Sequence, residues 1–212
     1  MGKKLDFSDF ISMLHELDDQ IYNNITIRAI GGFSIILHTK VQNLNFPRVS
    51  EDIDSLTKTW NEKEGQGLTH SNQGLIDYLN QDINQIIYKI GEKYGINSKY
   101  SSWLNNSWYD TQMYYDELEN YIEWVPYTEQ TFKHIRLVYA DLESIFLFKM
   151  RSVEEYVKDG YDEPRTNDIY DIQSILKIYG EDDIENLQNA KMAIAIEMYP
   201  AAVKWIKENI RL

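Results

Sequence analysis

The chain has 212 residues, no cysteine and a formal net charge of −13. This length suits one substantial domain, and the absence of cysteine excludes disulfides, thiolate chemistry and cysteine-based zinc sites. The acidic charge argues against non-specific nucleic-acid binding, but it is compatible with a local basic patch or with metal ions that neutralise phosphates. The sequence shows neither a secretory signal nor the roughly 20 apolar residues of a membrane span, so we expect a cytoplasmic protein with no membrane partner.

The first half of the chain predicts alternating helices and strands, because helical and strand periodicities follow one another with polar segments between them. In chain order we expect a helix over 6–23, a strand over 25–30, a helix over 33–40, a loop over 41–50, a strand over 52–57, a polar connection over 60–73 and an amphipathic helix over 74–95 that Gly95 ends.

The second half is richer in helices. Here we expect an aromatic irregular segment over 98–110, a strand over 132–140, helices over 142–159 and 165–180, and one or two further helices from about residue 182. About four strands against six or more helices predict an α+β or α/β domain with a helical C-terminal region.

A glycine pair, Gly31 and Gly32, lies where the first strand meets its helix. Glycine tolerates a positive φ and lets the backbone approach a ligand closely. The start of the helix offers free N–H groups and the positive end of its dipole to a phosphate. A turn without a ligand is the alternative, because glycine is common between a strand and a helix.

Two aspartates, Asp52 and Asp54, lie two residues apart on the predicted second strand. Residues at this spacing point to the same face, and two adjacent carboxylates repel each other unless a cation lies between them. Mg²⁺ suits such a place, because it binds one or two carboxylates together with substrate phosphates, and two metal ions can assist phosphoryl transfer. A solvated strand is the alternative.

Taken together, the strand, the glycine pair, the helix and the motif Arg48-x-x-x-Asp52-x-Asp54 resemble the nucleotidyltransferase superfamily, the DNA polymerase β-like fold. The resemblance implies an α+β fold with a mixed β-sheet flanked by helices. It implies that the glycine pair and Ser34 receive the triphosphate of an NTP, and that Asp52 and Asp54 are catalytic and bind Mg²⁺ or Mn²⁺. Arg48 would bind a phosphate or hold the aspartate pair.

The C-terminal part is similar to minimal nucleotidyltransferases related to abortive-infection toxins, in which a lysine-bearing helix precedes an Arg-x-x-Asp-x-x-Asp helix. Lys149, Arg165, Asp168 and Asp171 stand at those positions. The resemblance implies a phosphate contact for Lys149, for which a structural ion pair is the alternative. The two aspartates would orient Lys149 or Arg165 without contacting the ligand themselves, cap a helix, or be solvated.

The resemblance covers about residues 25–180, and Trp103-Leu104-Asn105 is similar to an element of an uncharacterised branch of that group. It implies a nucleotidyltransferase-like core over 1–140 and a helical region over 141–212 packed on that core as one structural unit.

The third catalytic carboxylate of the superfamily usually lies on a later core strand. The predicted strand over 132–140 contains Arg136 but no acidic residue, and Asp141 follows its end. Either Asp141 serves as the third acid or the third acid is missing. Its loss would be compatible with metal and nucleotide binding but not with transfer chemistry.

Histidine and aromatic residues supply further candidates. His38 ends the predicted helix after the glycine pair, where it is a packing residue or a partner of the helix dipole, or else a ligand. A group of aromatic residues could stack on a base or pack in the core; its members are Trp103, Trp108, Tyr109, Tyr114 and Tyr115.

The sequence therefore leads to three hypotheses. The first is a Mg²⁺-dependent nucleotidyltransferase that transfers NMP from an NTP to the hydroxyl of a tRNA, a protein or a small molecule. The second is a catalytically inactive nucleotide-binding protein, or one partner of a toxin–antitoxin pair with a cognate protein. The third is an interaction domain whose aromatic surface binds protein.

Overall fold

A computed structural model describes residues 5–44, 50, 52–57, 73–96, 102–105, 119–161 and 163–210, with the backbone alone for 73–79 and 119. Within these residues there are seven α-helices and five β-strands. The helices are α1 (Phe7–Gln20), α2 (Gly31–Val41), α3 (Gln73–Lys93), α4 (Leu142–Lys158), α5 (Thr166–Tyr179), α6 (Ala190–Met198) and α7 (Pro200–Asn209). The strands are β1 (Ile25–Ile30), β2 (Ile53–Ser55), β3 (Leu104–Asn105), β4 (Trp124–Pro126) and β5 (Ile135–Ala140). Among the described residues, no helix has the length and apolarity that crossing a membrane requires.

The chain divides into two compact units. The sheet unit consists of Met1–Glu119 and Trp124–Ala140, and the helical unit consists of Asn120–Glu123 and Asp141–Leu212. The expectation that the helical region packs on residues 1–140 as one structural unit stays a prediction.

The sheet unit contains a five-stranded mixed sheet in the order β3-β2-β1-β5-β4. Two neighbouring pairs are parallel, β1 with β5 and β2 with β3, and the other two are antiparallel. The predicted α+β class, with a mixed sheet and accompanying helices, is confirmed. The sequence does not predict β3 or β4, because β3 has only two residues and the residues of β4 (WVP) do not alternate between apolar and polar.

One face of this sheet forms the core of the unit. The buried side chains of Ile27, Ile53 and Leu137 belong to a cluster with residues of α1, α2 and α3. Because side chains alternate along a strand, the intervening residues lie on the opposite face. That face carries Arg28, Asp54 and other polar residues, and it is the face that matters for the candidate site.

Asp18, near the end of α1, fixes where β5 begins. Its buried carboxylate accepts hydrogen bonds from the backbone N–H groups of Lys133, His134 and Ile135, at 2.7, 2.7 and 3.0 Å. These N–H groups therefore bind a side chain at residues 133–135, where the sequence predicts that the strand has already begun. This explains why β5 begins at Ile135 and not at residue 132.

Capping residues define where the helices of the helical unit begin and end. Asp141 caps α4, and Gly180, in the left-handed region at φ 69°, ends α5 as its sequence position indicates. Glu154 is buried on α4 and accepts a hydrogen bond from the N–H of Ala202 in the first turn of α7, at 2.7 Å. A carboxylate at a helix start is favourable because it meets free N–H groups and the positive end of the dipole.

Candidate functional site

The glycine pair lies at the start of α2, which begins at Gly31, two residues earlier than the sequence predicted. Gly31 has a φ of 66°, in the left-handed region that favours glycine. A Cβ atom at this position would lie 3.0 Å from Oδ2 of Asp54. Glycine is therefore favoured at position 31 for two reasons, the backbone conformation and the close approach of a carboxylate.

The start of α2 receives no side-chain cap from its N-cap residue, because Ile30 has no polar side chain. The first N–H groups of a helix have no partner within the helix, and they carry the positive end of its dipole. The carboxylate of Asp54 therefore lies at a place that favours anions.

Strand β2 brings Asp54 to the start of α2. β2 is antiparallel to β1, and Asp54 pairs with Ile30, the last residue of β1. Ile53 and Ser55 are buried, whereas Asp52 and Asp54 are half-buried. Asp54, more than twenty positions from the glycine pair in the sequence, thus lies where β1 ends and α2 begins, whereas Asp52 lies one residue before β2 and not on the strand as predicted.

Ser34 is the third predicted contact at this place. It lies in the first turns of α2 and is fully buried, and its Oγ has no hydrogen-bond partner among the residues that the structure describes. Cα–Cβ bonds on a helix tilt towards its N-terminal end, so the Cβ atom of Ser34 is tilted towards the end that begins with Gly31. Gly32 is buried, and Arg48 lies outside the described residues.

The helical unit brings together the predicted residues of the C-terminal motif. Nζ of Lys149 lies 2.6 Å from Oδ1 of Asp168 and 3.1 Å from Oδ2 of Asp171. Ser152 donates a hydrogen bond to the other oxygen of Asp168, at 2.8 Å. Burial by itself would lower the pKa of Lys149, but the two carboxylates outweigh it and raise that pKa above its usual value. Lys149 therefore forms the structural ion pair that was its alternative role.

Arg165 contacts Tyr156 with its side chain. Its Nε donates a hydrogen bond to the hydroxyl of Tyr156 at 2.7 Å, and its guanidinium lies 5.3 Å from the centre of the same ring. Arg165 is exposed at the N-cap of α5. The expected role behind a phosphate site stays a prediction.

Asp141, the candidate third acid, is engaged within the helical unit. It accepts a hydrogen bond from the N–H of Ser144 at 2.8 Å, and Nζ of Lys191 lies 2.9 and 2.7 Å from its two oxygens. The same ammonium donates to Oγ of Ser144 at 2.9 Å. Asp141 therefore caps α4 and forms an ion pair, and its catalytic role stays a prediction. Lys191 was missed in the sequence, because no local pattern connects it to a residue fifty positions earlier.

His38 is a packing residue, in agreement with the first of its two predicted alternatives. The residue is buried; its Nε2 lies 3.1 Å from the carbonyl oxygen of Ala140, and its ring meets that of Tyr139 edge-on at 4.8 Å. A carbonyl oxygen accepts a hydrogen bond, so Nε2 is the donor in this contact.

Trp103 also belongs to the core. It is fully buried, and its indole Nε1 donates a hydrogen bond to the carbonyl of Ile87 at 2.8 Å. Core packing is therefore its role, as the sequence allowed. The other members of the predicted aromatic group lie outside the described residues: Trp108, Tyr109, Tyr114 and Tyr115.

The donor set at the start of α2 is compatible with a hard divalent cation that shares its coordination with a phosphate. Asp52 and Asp54 supply oxygen atoms, the ligands that Mg²⁺ prefers, and Mg²⁺ binds through one or two carboxylates and substrate phosphates. Within the described part of the chain, no group of three or more His, Asp or Glu residues could hold a metal ion. The two aspartates would thus hold the cation together with a ligand, not as a complete protein site.

No protein-family model, no curated protein and no solved structure matches this chain. The resemblance to the nucleotidyltransferase superfamily therefore stays an expectation drawn from sequence motifs. The candidate site depends on the geometry that joins Gly31 to Asp54.

Proposed function

We propose that the sheet unit binds the phosphates of an NTP with Mg²⁺ at the start of α2, and that the protein is a nucleotidyltransferase. The observation that carries this proposal is the approach of the Asp54 carboxylate to Gly31, with Oδ2 3.0 Å from the position of a Cβ atom. A helix start that attracts phosphate and a carboxylate that attracts a cation then adjoin each other.

The residues of this site would bind and orient the nucleotide. The N–H groups of the first turn of α2 would donate hydrogen bonds to phosphate oxygens, and the absence of side chains at Gly31 and Gly32 would let the phosphates approach the backbone. The hydroxyl of Ser34 would donate a further hydrogen bond. Asp52 and Asp54 would hold Mg²⁺, which neutralises phosphate charge when bound.

The proposed reaction transfers NMP. An oxygen of the acceptor hydroxyl forms a bond with the α-phosphorus of the NTP, the bond from that phosphorus to the bridging oxygen breaks, and pyrophosphate leaves while the hydroxyl proton passes to water. Positioning and electrostatic stabilisation supply the catalysis in such transfers. The acceptor, whether tRNA, protein or small molecule, is a hydroxyl compound that the site residues do not identify.

Thermal unfolding with Mg²⁺ and each of the four common NTPs tests nucleotide binding, and release of pyrophosphate tests transfer. We expect a rise in melting temperature for the wild type and its loss in Asp54→Ala and Asp52→Ala. Asp19→Ala is the matched control, because Asp19 is an exposed aspartate of the same unit. A wild type whose melting temperature does not respond to any NTP, or an Asp54→Ala variant that responds like the wild type, would contradict the proposal.

A second candidate function is nucleotide binding without transfer, as in an inactive member of the same fold or one partner of a toxin–antitoxin pair. The observation that favours it is the engagement of Asp141 by the N–H of Ser144 and by Lys191. This function predicts the same thermal shift with no release of pyrophosphate. Release that depends on Asp54 would reject it.

A further inference from the structure

Asn105 lies next to Asp54 on the neighbouring strand. β2 and β3 are parallel, with Ile53 opposite Leu104 and Asp54 opposite Asn105. Strands in a sheet lie about 4.8 Å apart, and directly opposite residues point to the same face. Leu104 is buried in the core cluster, so Asn105 lies on the other face, which it shares with Asp54.

Strand β3 is held in place by the residue before it. The fully buried Trp103 donates its indole N–H to the carbonyl of Ile87 at 2.8 Å, and its own carbonyl accepts the N–H of Ile53 at 2.7 Å. The backbone at Asn105 is therefore fixed relative to β2. Because Asn105 itself is half-buried, its carboxamide is presented beside Asp54 at a place that solvent reaches.

A buried hydroxyl in the adjoining helix supports a ligand at this place. Ser34 is fully buried, its Oγ has no hydrogen-bond partner among the described residues, and it lies in the first turns of the helix whose start adjoins Asp54. A buried hydroxyl without a hydrogen-bond partner costs free energy, so we expect Ser34 to gain a partner when a ligand is bound.

We propose that Asn105 is a third oxygen ligand for the divalent cation at Asp52 and Asp54. This inference rests on the proposed function and assigns the third ligand to an amide in place of an acid. Carboxamide oxygens are ligands of hard divalent cations. A neutral ligand leaves the charge of the two carboxylates balanced by one divalent cation, so the site would repel a phosphate less than three carboxylates would.

Binding of Mn²⁺ alone, measured by the electron paramagnetic resonance signal of the free ion, tests the proposal without any nucleotide. We expect at least about tenfold weaker binding in Asn105→Ala, the size of loss that removal of a group supporting a metal site gives. Asn105→Asp keeps an oxygen ligand and should bind Mn²⁺ at least as tightly as the wild type. Asn84→Ala is the matched control, because Asn84 is exposed on α3 in the same unit.

Asn105→Asp also separates a ligand from a structural amide. Without metal, a carboxylate directly across from Asp54 repels it, so the melting temperature should fall. With Mn²⁺, the melting temperature should rise more in this variant than in the wild type. An amide that merely donates a hydrogen bond to a neighbour predicts a lower melting temperature that Mn²⁺ does not restore.

The outcomes distinguish this inference from the function on which it rests. If Asp54→Ala abolishes Mn²⁺ binding while Asn105→Ala binds like the wild type, the role of Asn105 is overturned and the proposed function stands. If the wild type binds Mn²⁺ only in the presence of an NTP, and Asn105→Ala binds it equally well under the same conditions, the inference alone falls. If neither Mn²⁺ nor any NTP binds, both are wrong.

Discussion

Asp168 and Asp171 in the helical unit are at most 5% exposed and share the ammonium of Lys149, whereas Asp52 and Asp54 in the sheet unit are half-buried. A buried carboxylate needs a counter-charge and hydrogen bonds, and the helical unit supplies both from α4. A half-buried carboxylate keeps access to solvent and to ligands. The comparison teaches that an acidic pair in the sequence has different roles according to its burial and its neighbours.

The largest expected effect is on the ion cluster of the helical unit. Lys149→Met should lower the free energy of unfolding by about 3–5 kcal/mol, because it leaves two buried carboxylates without their ammonium. Urea denaturation measures this change. Lys93→Met is the control, because Lys93 forms an exposed pair with Glu16 and its loss should leave the denaturation midpoint nearly unchanged. A loss for Lys149→Met no larger than that of the control would show that the cluster is not a structural ion pair.

A smaller effect is expected at the start of α2. Gly31→Ala should cost about 1–3 kcal/mol from backbone strain, with a further loss because the new Cβ would lie 3.0 Å from Oδ2 of Asp54. Gly95→Ala is the matched control, since Gly95 has a φ of 73° and no atom within 4 Å of its Cβ position. Urea denaturation of both variants should therefore show a larger loss at Gly31.

The same measurement in an Asp54→Ala background isolates the contact between the two motifs. Removal of the carboxylate should reduce the cost of Gly31→Ala towards that of Gly95→Ala, since only the backbone strain remains. Equal costs of Gly31→Ala in the two backgrounds would mean that the carboxylate does not approach Gly31.

The smallest expected effect concerns pH. Burial, a hydrogen bond to Glu143 and the charges of Glu143 and Asp141 raise the pKa of Tyr179 in the folded helical unit. Above about pH 10 the unfolded chain releases the phenolic proton first, so this contribution to stability is present below pH 10 and is lost as the pH rises.

Tyr179→Phe should therefore lessen the fall in melting temperature between pH 9 and pH 11, about one unit either side of the ordinary tyrosine pKa. Tyr22→Phe is the control, because Tyr22 is 92% exposed and its removal should not change the slope. A Tyr179→Phe variant with the slope of the wild type would show that Tyr179 has no raised pKa.

Much of the local structure follows from local patterns. β1 has the predicted bounds, α1 begins at the capping residue Asp6, and α5 ends at Gly180. Each of these features depends on side-chain periodicity or on a residue that favours one backbone conformation. A short stretch of sequence is enough to recognise either signal. The start of β5 was misplaced because the carboxylate of Asp18, more than a hundred positions away, binds the N–H groups that precede it.

The features of the candidate site also fall into two groups, those that the sequence indicates and those that only the tertiary structure shows. The sequence alone indicated the chemistry of the glycine pair and of Asp52 and Asp54, because glycine geometry and the two-residue strand period are local properties. It did not indicate Asn105 as a neighbour of Asp54, nor Lys191 as the partner of Asp141.

These contacts join residues about fifty positions apart, and strand register or helix packing determines them. Strand order and helix packing depend on which apolar faces are buried together, which is a property of the whole chain. The sequence by itself therefore determined the kinds of groups that the protein carries, and the tertiary structure decided which of them adjoin.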